Sequence, residues 1–459
     1  MVTSDGRVQA GQGRIQRGSW GCSRKPLAAP VESLVEDRRQ PANDDVARAA
    51  DMPPLRSAMY APRPKASSST AQMGVSRNMV SATGFASVVA AHGFDAPPIG
   101  RGTLARMHVD ANIGGASDGT GVADLGTLTQ QITTAECCGF DGVWSTEVSR
   151  DPFLPLMLVA AQSAELTLGT AIAVAFARNP MTVASVANDL NTFSKGRFVL
   201  GLGSQVEAHI TRRFGMPWSA PAERMREFVQ ALQAIWHSWH TGEKLDFRGS
   251  YYRHTLMTPM FAPTPSSWGP PPVMIAAVGP KMTAVAAEEC DGLQIHSFTT
   301  ERYLREVTTP TINAGLARAG RSRHDFTVSL PGLVATGRDE SSYEAALARV
   351  RKQVAFYGST PSYRGVLDVH GWGDLHTELH RLSKAGDWDT MTRLVDDKVL
   401  ATIAIVGDPK TVGAQIVQRF GGLVDRFTLS TPYPIDDDTR ATVVAEIKAA
   451  SQRRLSSAQ

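Results

Sequence analysis

Cysteine is scarce in this sequence, and long apolar runs are missing. Four cysteines occur in 459 residues, Cys22, Cys137, Cys138 and Cys290, and no pair has Cys-x-x-Cys spacing. That excludes a disulfide framework or a zinc ribbon and makes a reducing cytoplasm the expected location. No stretch of 18 consecutive apolar residues exists. The most apolar region, Phe153 to Phe176, is interrupted by Gln162, Ser163 and Glu165, so neither a membrane span nor a membrane partner is expected. An excess of one charge is lacking too. Lys and Arg number 47 against 44 Asp and Glu, and a net charge of +3 does not point to nucleic acid. No G-x-S-x-G elbow stands where a strand turns into a helix, so serine-hydrolase chemistry has no foothold.

The charge that is present is unevenly spread. Residues 1–106 hold 14 Lys and Arg, 12 of them Arg, against 8 acidic residues, while residues 107–459 are faintly acidic. The front segment shows no sustained apolar period and is punctuated by Gly, Pro and Ser, as from Ala61 to Thr70. Such a stretch buries too little apolar area to offset its ordering entropy. It has neither the apolar core of a secretory signal nor an apolar run after Arg38 and Arg39. Residues 1–106 are therefore expected to be a disordered or non-native extension, with the working domain spanning 107–459.

From Met107 onward β-rich runs alternate with amphipathic ones. Strands are expected at 107–113, 142–145, 167–174, 198–203, 273–278, 292–296, 326–335 and 426–430. Helices are expected at 123–138, 153–164, 180–193, 221–240, 281–289, 300–318, 341–356, 409–420 and 437–452. Strands separated by helices make parallel βαβ units, and eight of them fit an α/β fold of the (β/α)8 TIM-barrel type with insertions. A doubly wound sheet would need a Gly-rich dinucleotide turn after the first strand, and the residues after Ile113 do not supply it. Two stretches exceed ordinary connections, 204–272 and 357–400. The first follows the fourth strand, and is expected to wall a pocket at the carboxyl ends of the strands.

Several short motifs carry chemistry. Gly201-Leu-Gly203 begins like a dinucleotide fingerprint but has Val206 at the third glycine position, so that reading fails. The glycines either end a strand or let a flat ring lie against the backbone. Val278-Gly279-Pro280-Lys281 joins a strand to a helix with Pro in the first turn. Free amides and the dipole there suit a phosphate, with Lys281 as an added charge; an ordinary turn with a surface lysine is the alternative. His376 and His380 share a helical face in the order H-x-E-x-H, not the H-E-x-x-H of metalloproteases. A solvated helix face is expected there, and no metal. His237 and His240, beside Trp236 and Trp239, read as the flank of a buried helix.

Residues 107–459 resemble the luciferase-like monooxygenase superfamily of flavin- or deazaflavin-dependent barrels. The matching pieces run from Cys138-Gly-Phe-Asp-Gly-Val-Trp144 through Leu168–Ile172, Asn179-Pro180, Gly196–Gly203, Glu223-Arg-Met225 and Pro272–Met282 to Asp291-Gly292. Gly201–His209 together with Asp151–Pro155 resembles the branch that uses coenzyme F420. The resemblance implies an F420-dependent oxidoreductase moving hydride between the cofactor and a small organic substrate. The alternatives are an FMN-dependent monooxygenase fed by a separate flavin reductase, and a non-catalytic flavin-binding member.

The resemblance also implies a pose. The ring would rest on a bulge at Ala171 and Ile172, where the family has a cis peptide. Gly203, Ser204 and Gln205 would flank the ring, and Val278, Gly279, Pro280 and Lys281 would hold the phosphate. Glu147, Glu207, His209 and His296 are the candidate catalytic groups, of which a His or carboxylate tuned toward neutral pH would donate the proton that accompanies hydride transfer. Val148 stands where some deazaflavin enzymes have His, and Val206 stands near the position of a family acid. A homodimer is expected.

Overall fold

The computed structural model describes residues 106–114 and 124–458. The expectation for residues 1–106 lies, Arg106 apart, outside the described residues. Eight strands form one closed parallel barrel: β1 (His108–Ile113), β2 (Gly142–Ser145), β3 (Thr167–Thr170), β4 (Phe198–Gly203), β5 (Val273–Ala277), β6 (Gly292–Ile295), β7 (Thr327–Ala335) and β8 (Arg426–Ser430). Each pairs with the next in sequence. His108 pairs with Arg426 to close β1 on β8. The expected run at 167–174 is broken after Thr170, and Ala173–Val174 continues separately along β4.

The helices begin where local chemistry starts them. They are α1 (Leu125–Cys137), α2 (Leu154–Gln162), α3 (Pro180–Phe193), α4 (Pro221–Thr241), α5 (Pro280–Glu289), α6 (Thr309–Arg318), α7 (Glu340–Gly358), α8 (Gly373–Ala385), α9 (Pro409–Phe420) and α10 (Asp437–Ala458). The Asp124 carboxylate accepts from the Thr127 amide at 2.7 Å, and Asn179 does the same for Thr182 ahead of Pro180. Asp339 and Ser342 form a reciprocal capping box at α7. Each satisfies amides that the helix itself leaves unpaired.

The amino ends of three strands share one device. Asp141, before β2, accepts from the Val109 amide of β1 through its carboxylate at 2.8 Å and donates its own amide to the Val109 carbonyl at 2.7 Å. Asp291 makes the same two bonds to Val273, across β5 and β6. Asp425 makes them to Val328, across β7 and β8. Asp141-Gly142, Asp291-Gly292 and Asp425-Arg426 are therefore strand-pairing clamps at the foot of the barrel.

The interior fills by pairing glycine with bulk. A Cβ on Gly169 would stand 2.3 Å from the Trp144 ring, and one on Gly332 would stand 2.2 Å from Phe427. Asp110 and Arg426 meet inside the barrel, where Trp144 Nε1 also donates to Asp110 at 2.9 Å. A buried ion pair holds only when its remaining donors and acceptors are satisfied in this way.

One expected assignment changes. Val412, Ile416 and Phe420 of α9 pack into the main barrel core, whereas Ala346, Val350 and Val354 of α7 belong to a second apolar cluster. The seventh outer helix of the barrel is thus α9. Helix α7 and residues 359–404 form an insertion after β7, with further helices Arg364–Asp368, Trp388–Leu394 and Asp397–Ile403. Their cluster takes in Phe298, Leu333 and Tyr433 at the carboxyl ends of β6, β7 and β8, so it covers that side of the mouth. The sequence reading gave the mouth only the first insertion, 204–272, because helix period alone does not say which helices ring the barrel.

The His376 and His380 reading is also corrected. His376 is buried and its Nδ1 donates to the Gly358 carbonyl at 2.8 Å; His380 Nδ1 donates to Ser359 at 2.9 Å. The pair caps the carboxyl end of α7, where helix carbonyls lack partners, instead of facing solvent. Among the described residues no cluster of His, Cys, Asp and Glu is arranged to hold a metal.

Candidate active site at the barrel mouth

The carboxyl ends of β2, β3 and β4 meet at one corner. The Ala171–Ile172 peptide is cis. The Ala171 amide donates to the Ser145 carbonyl at 2.7 Å, and the Ile172 carbonyl accepts from the Glu147 amide at 3.3 Å. The corner is thus hooked to the end of β2 on both sides. The Glu147 carboxylate accepts from the Val174 amide at 2.7 Å and from Arg178 at 2.6 Å. Arg178 also reaches Asp151 at 3.1 Å and lies over the Phe153 ring. Glu147 is committed to this frame: it holds the segment after β3 in place, and its side chain is nearly covered.

Gly201 and Gly203 face this corner. A Cβ on Gly201 would stand 1.9 Å from the Thr170 carbonyl oxygen. The Thr170 hydroxyl donates to the Gly201 carbonyl at 2.6 Å and accepts from its amide at 2.9 Å. A Cβ on Gly203 would stand 2.5 Å from Ile172 Cδ1. The space these glycines leave is taken by protein: the Thr170 backbone in one case, the Ile172 side chain in the other. The space beside these glycines, where the sequence suggested a ring, is filled by protein, and Gly203 is what lets Ile172 occupy it.

Past β4 the chain turns sharply. Gln205 has φ +58°, a left-handed conformation that a non-glycine residue adopts at a cost. Its side-chain oxygen accepts from the Val206 amide at 3.0 Å, and Ser204 donates to its carbonyl at 3.1 Å. Glu207 and His209 follow on a short helix, Glu207–Arg212, and both are exposed. Among the described residues, no hydrogen bond joins either side chain to Glu147, Ile172 or His296. Arg213 ties this segment back to the β2 loop by donating to the Val148 carbonyl at 2.6 Å.

At the end of β5, Gly279 precedes α5 with no side-chain cap, and Pro280 opens the helix. A Cβ on Gly279 would meet nothing within 4 Å. Lys281 is exposed, and the Val278 carbonyl accepts from the Tyr303 hydroxyl at 3.1 Å. This is an open helix amino end at the mouth, with first-turn amides free of side-chain partners.

His296 ends β6. Its Nδ1 accepts from the Phe298 amide at 3.0 Å. The ring lies 4.3 Å from Tyr363 and 4.7 Å from Tyr357, centroid to centroid. Burial lowers its pKa to about 4, so at neutral pH the ring is uncharged. The sequence made His296 a proton donor; as an imidazolium it is not one here. Burial also pushes Tyr357 up and Tyr363 to about 12. Both tyrosines come from the insertion after β7, and sequence reasoning missed them for that reason. Arg178 was missed as well, although it directly precedes the Asn179-Pro180 pair.

A cleft of about 730 Å³ runs between β1 and α1 and reaches the mouth at Thr146, Val148 and Thr431. Among the described residues none from 204–272 lines it, and neither Ile172 nor His296 does. This cleft is thus a different one from the pocket expected under 204–272.

Known proteins place this geometry. The chain is 53% identical over 309 residues to an uncharacterized protein of Mycobacterium tuberculosis, covering 67% of this chain and 91% of that one. It is 29% identical over 292 residues to the 5,10-methylenetetrahydromethanopterin reductase of Archaeoglobus fulgidus, covering 62% and 83%. Among solved structures, the coenzyme F420-dependent tetrahydromethanopterin reductase of Methanopyrus kandleri superposes with a TM-score of 0.62 at 22% identity, covering 74% of this chain and 98% of that one. At that identity the likeness shows a shared fold. The model of the luciferase-like monooxygenase family matches residues 102–426, and the chain belongs to that family.

Proposed function

We propose that the protein is an F420-dependent oxidoreductase that moves hydride between the deazaflavin and a small organic substrate. The observation that carries this reading is the open amino end of α5 on a barrel of this family, with Gly279 uncrowded and Lys281 beside it. A phosphate-bearing cofactor fits that end, because unpaired amides and the helix dipole favour an anion. Relatives of 27% and 28% identity that carry F420 dependence in their names, a putative oxidoreductase of Mycobacterium tuberculosis and a glucose-6-phosphate dehydrogenase of Intrasporangium calvum, support F420 as that cofactor.

Val278, Gly279 and Lys281 would hold the phosphate. Ile172, set forward by Gly203, would back the ring, with Ser204 and Gln205 at its edge. Glu147 and Arg178 keep the segment that carries Ile172 fixed, and the insertion after β7 shields the β6 side from water. When bound, the deazaflavin supplies the hydride-transfer centre; the chain supplies binding, orientation and a shaped environment.

The family's description as monooxygenases supports a second reading, with FMN in the same place and a separate flavin reductase as partner. Val148 and Val206 favour a third, a flavin-binding member without catalysis. Separate titrations with F420 and FMN, followed by fluorescence, divide the first two. Tight binding of F420 and its turnover with alcohols or enones is expected. Binding of FMN alone, with oxygen uptake, would overturn the F420 reading, and bound cofactor without turnover on a broad panel would favour the third. A homodimer completes the reading: Leu154 and Met157 on α2 are exposed apolar residues suited to a second copy, and light scattering of the purified chain would test it.

A further inference from the structure

The ring of His296 has an unusually determined hydrogen-bonding state. A backbone amide can only donate, so the 3.0 Å contact from Phe298 makes Nδ1 an acceptor. In the neutral ring the proton must then sit on Nε2. Protonating Nδ1 would break that bond and place two donors against each other. The ring is wedged against Tyr363, tilted by 33°, and meets Tyr357 edge to face at 78°. These two phenols, from α7 and from the turn Pro361–Tyr363, are the titratable groups packed on it, and burial keeps both in the uncharged form. Among the described residues no charged side chain adds to the effect of burial on it. Nε2 makes no hydrogen bond among the described residues, and it is not one of the fully covered polar atoms left without a partner, so it stays within reach of a ligand at the carboxyl end of β6.

We propose that His296 is a fixed, neutral Nε2–H donor at the barrel mouth, held there to bind a ligand carbonyl oxygen. Its work is to stabilise charge that develops on that oxygen, not to deliver a proton. A neutral imidazole suits this task because its proton is not lost to an oxyanion, and a donor fixed in advance needs no reorganisation. The oxygen belongs either to the cofactor ring or to the substrate. This inference rests on the F420 reading only for the identity of the ligand; the state of His296 stands apart from it.

The test is ¹⁵N NMR of the full chain labelled at histidine, with H296Q used to assign the resonance. The expected spectrum has an unprotonated Nδ1 and a protonated Nε2, unchanged between pH 7.5 and 5.5. A protonated Nδ1, or a titration within that window, would overturn the inference whatever cofactor binds. Oxidised F420, FMN and cyclohexanone are then added, the ketone with and without each cofactor. A downfield shift of the His296 Nε2–H with a cofactor alone assigns the oxygen to the ring; a shift only with cyclohexanone assigns it to the substrate. No shift with any of the three would overturn the donor role. H296F should weaken binding of the shifting probe about tenfold, about 1.4 kcal/mol, whereas H296Q, which keeps an N–H donor, should retain most of it. Equal losses in the two variants would also overturn it. Failure of F420 to bind at all, read by its own fluorescence, would strike the functional reading and leave the NMR result for His296 standing.

Discussion

Arg426 on β8 and Asp110 on β1 meet through two hydrogen bonds, of 2.8 and 2.7 Å, across the seam where the barrel closes. Both are fully buried. They are 316 residues apart in sequence, so the last strand to be made is locked to the first. Gly142 of β2 leaves room for the pair, since a Cβ there would stand 2.7 Å from the guanidinium and 2.9 Å from the carboxylate. Asp110→Asn leaves a buried cation without its counter-charge and is expected to cost about 3–5 kcal/mol. Urea unfolding checks this. The double variant Asp110→Leu with Arg426→Met should lose much less than the sum of the single changes, and full additivity would show that the pair is not coupled.

The two glycines of β4 should separate fold from site. Gly201→Ala drives a Cβ into the backbone of Thr170, which cannot yield, and should destabilise by about 1–3 kcal/mol. Gly203→Ala meets the Ile172 side chain, at 2.5 Å from Cδ1, 2.9 Å from Cγ1 and 3.4 Å from Cβ, and none of these nearest atoms is backbone. It should cost less stability than Gly201→Ala and weaken cofactor binding about tenfold as Ile172 shifts. Thermal melts and cofactor titration of both variants decide it; an unaffected affinity in Gly203→Ala would remove Ile172 from the cofactor's surroundings.

Glu147 is expected to act through structure. Its carboxylate already accepts from Val174 and Arg178. Glu147→Gln weakens a charge-assisted contact of the kind worth about 1.5–3 kcal/mol, so unfolding measurements should show a loss of that order. The pH profile of any turnover should keep its shape. A lost limb in that profile would instead make Glu147 a proton-transfer group.

His296 gives the fold an acid sensitivity with a calculable sign. An unfolded histidine takes up its proton near pH 6.5, while the folded one resists until about 4. Between those values the unfolded chain binds more protons, so stability falls as pH falls, by at most about 3 kcal/mol in all. Chemical unfolding at pH 7, 6, 5 and 4 should show this slope in the natural chain and a flatter one in H296Q. Identical slopes would mean that His296 titrates normally in the folded state.

Much of the fold could be read from residue patterns, because strand and helix periods are local properties. All eight barrel strands stand where alternating β-rich runs placed them, and capping residues such as Asp124 and Asn179 mark real helix starts. What could not be read is what depends on contacts far apart in sequence. The pattern that made α7 a helix was correct, but nothing in it said that α9 would take the outer position. Nor did the spacing of His376 and His380 show that both would turn onto the end of α7. At the site, Ala171 and Ile172 were named from the family resemblance and Gly203 from its glycine motif, and the three lie at one corner. The part played by Gly203, room for Ile172, depends on two strands meeting. Tyr357 and Tyr363 reach His296 only because the insertion after β7 folds over the mouth.

The clamps formed by Asp141, Asp291 and Asp425 divide labour within the molecule. Each ties one strand to its neighbour at the foot, and the seam pair Asp110 and Arg426 lies inside the barrel rather than in the loops above it. The two long insertions at the opposite end carry none of these clamps. Loops there are free to lengthen, as 204–272 and 336–404 have, and to exchange side chains without loosening the strands beneath. A scaffold pinned at its base lets one barrel serve successive substrates during evolution, because new chemistry can be tried at the mouth while the foot stays unchanged.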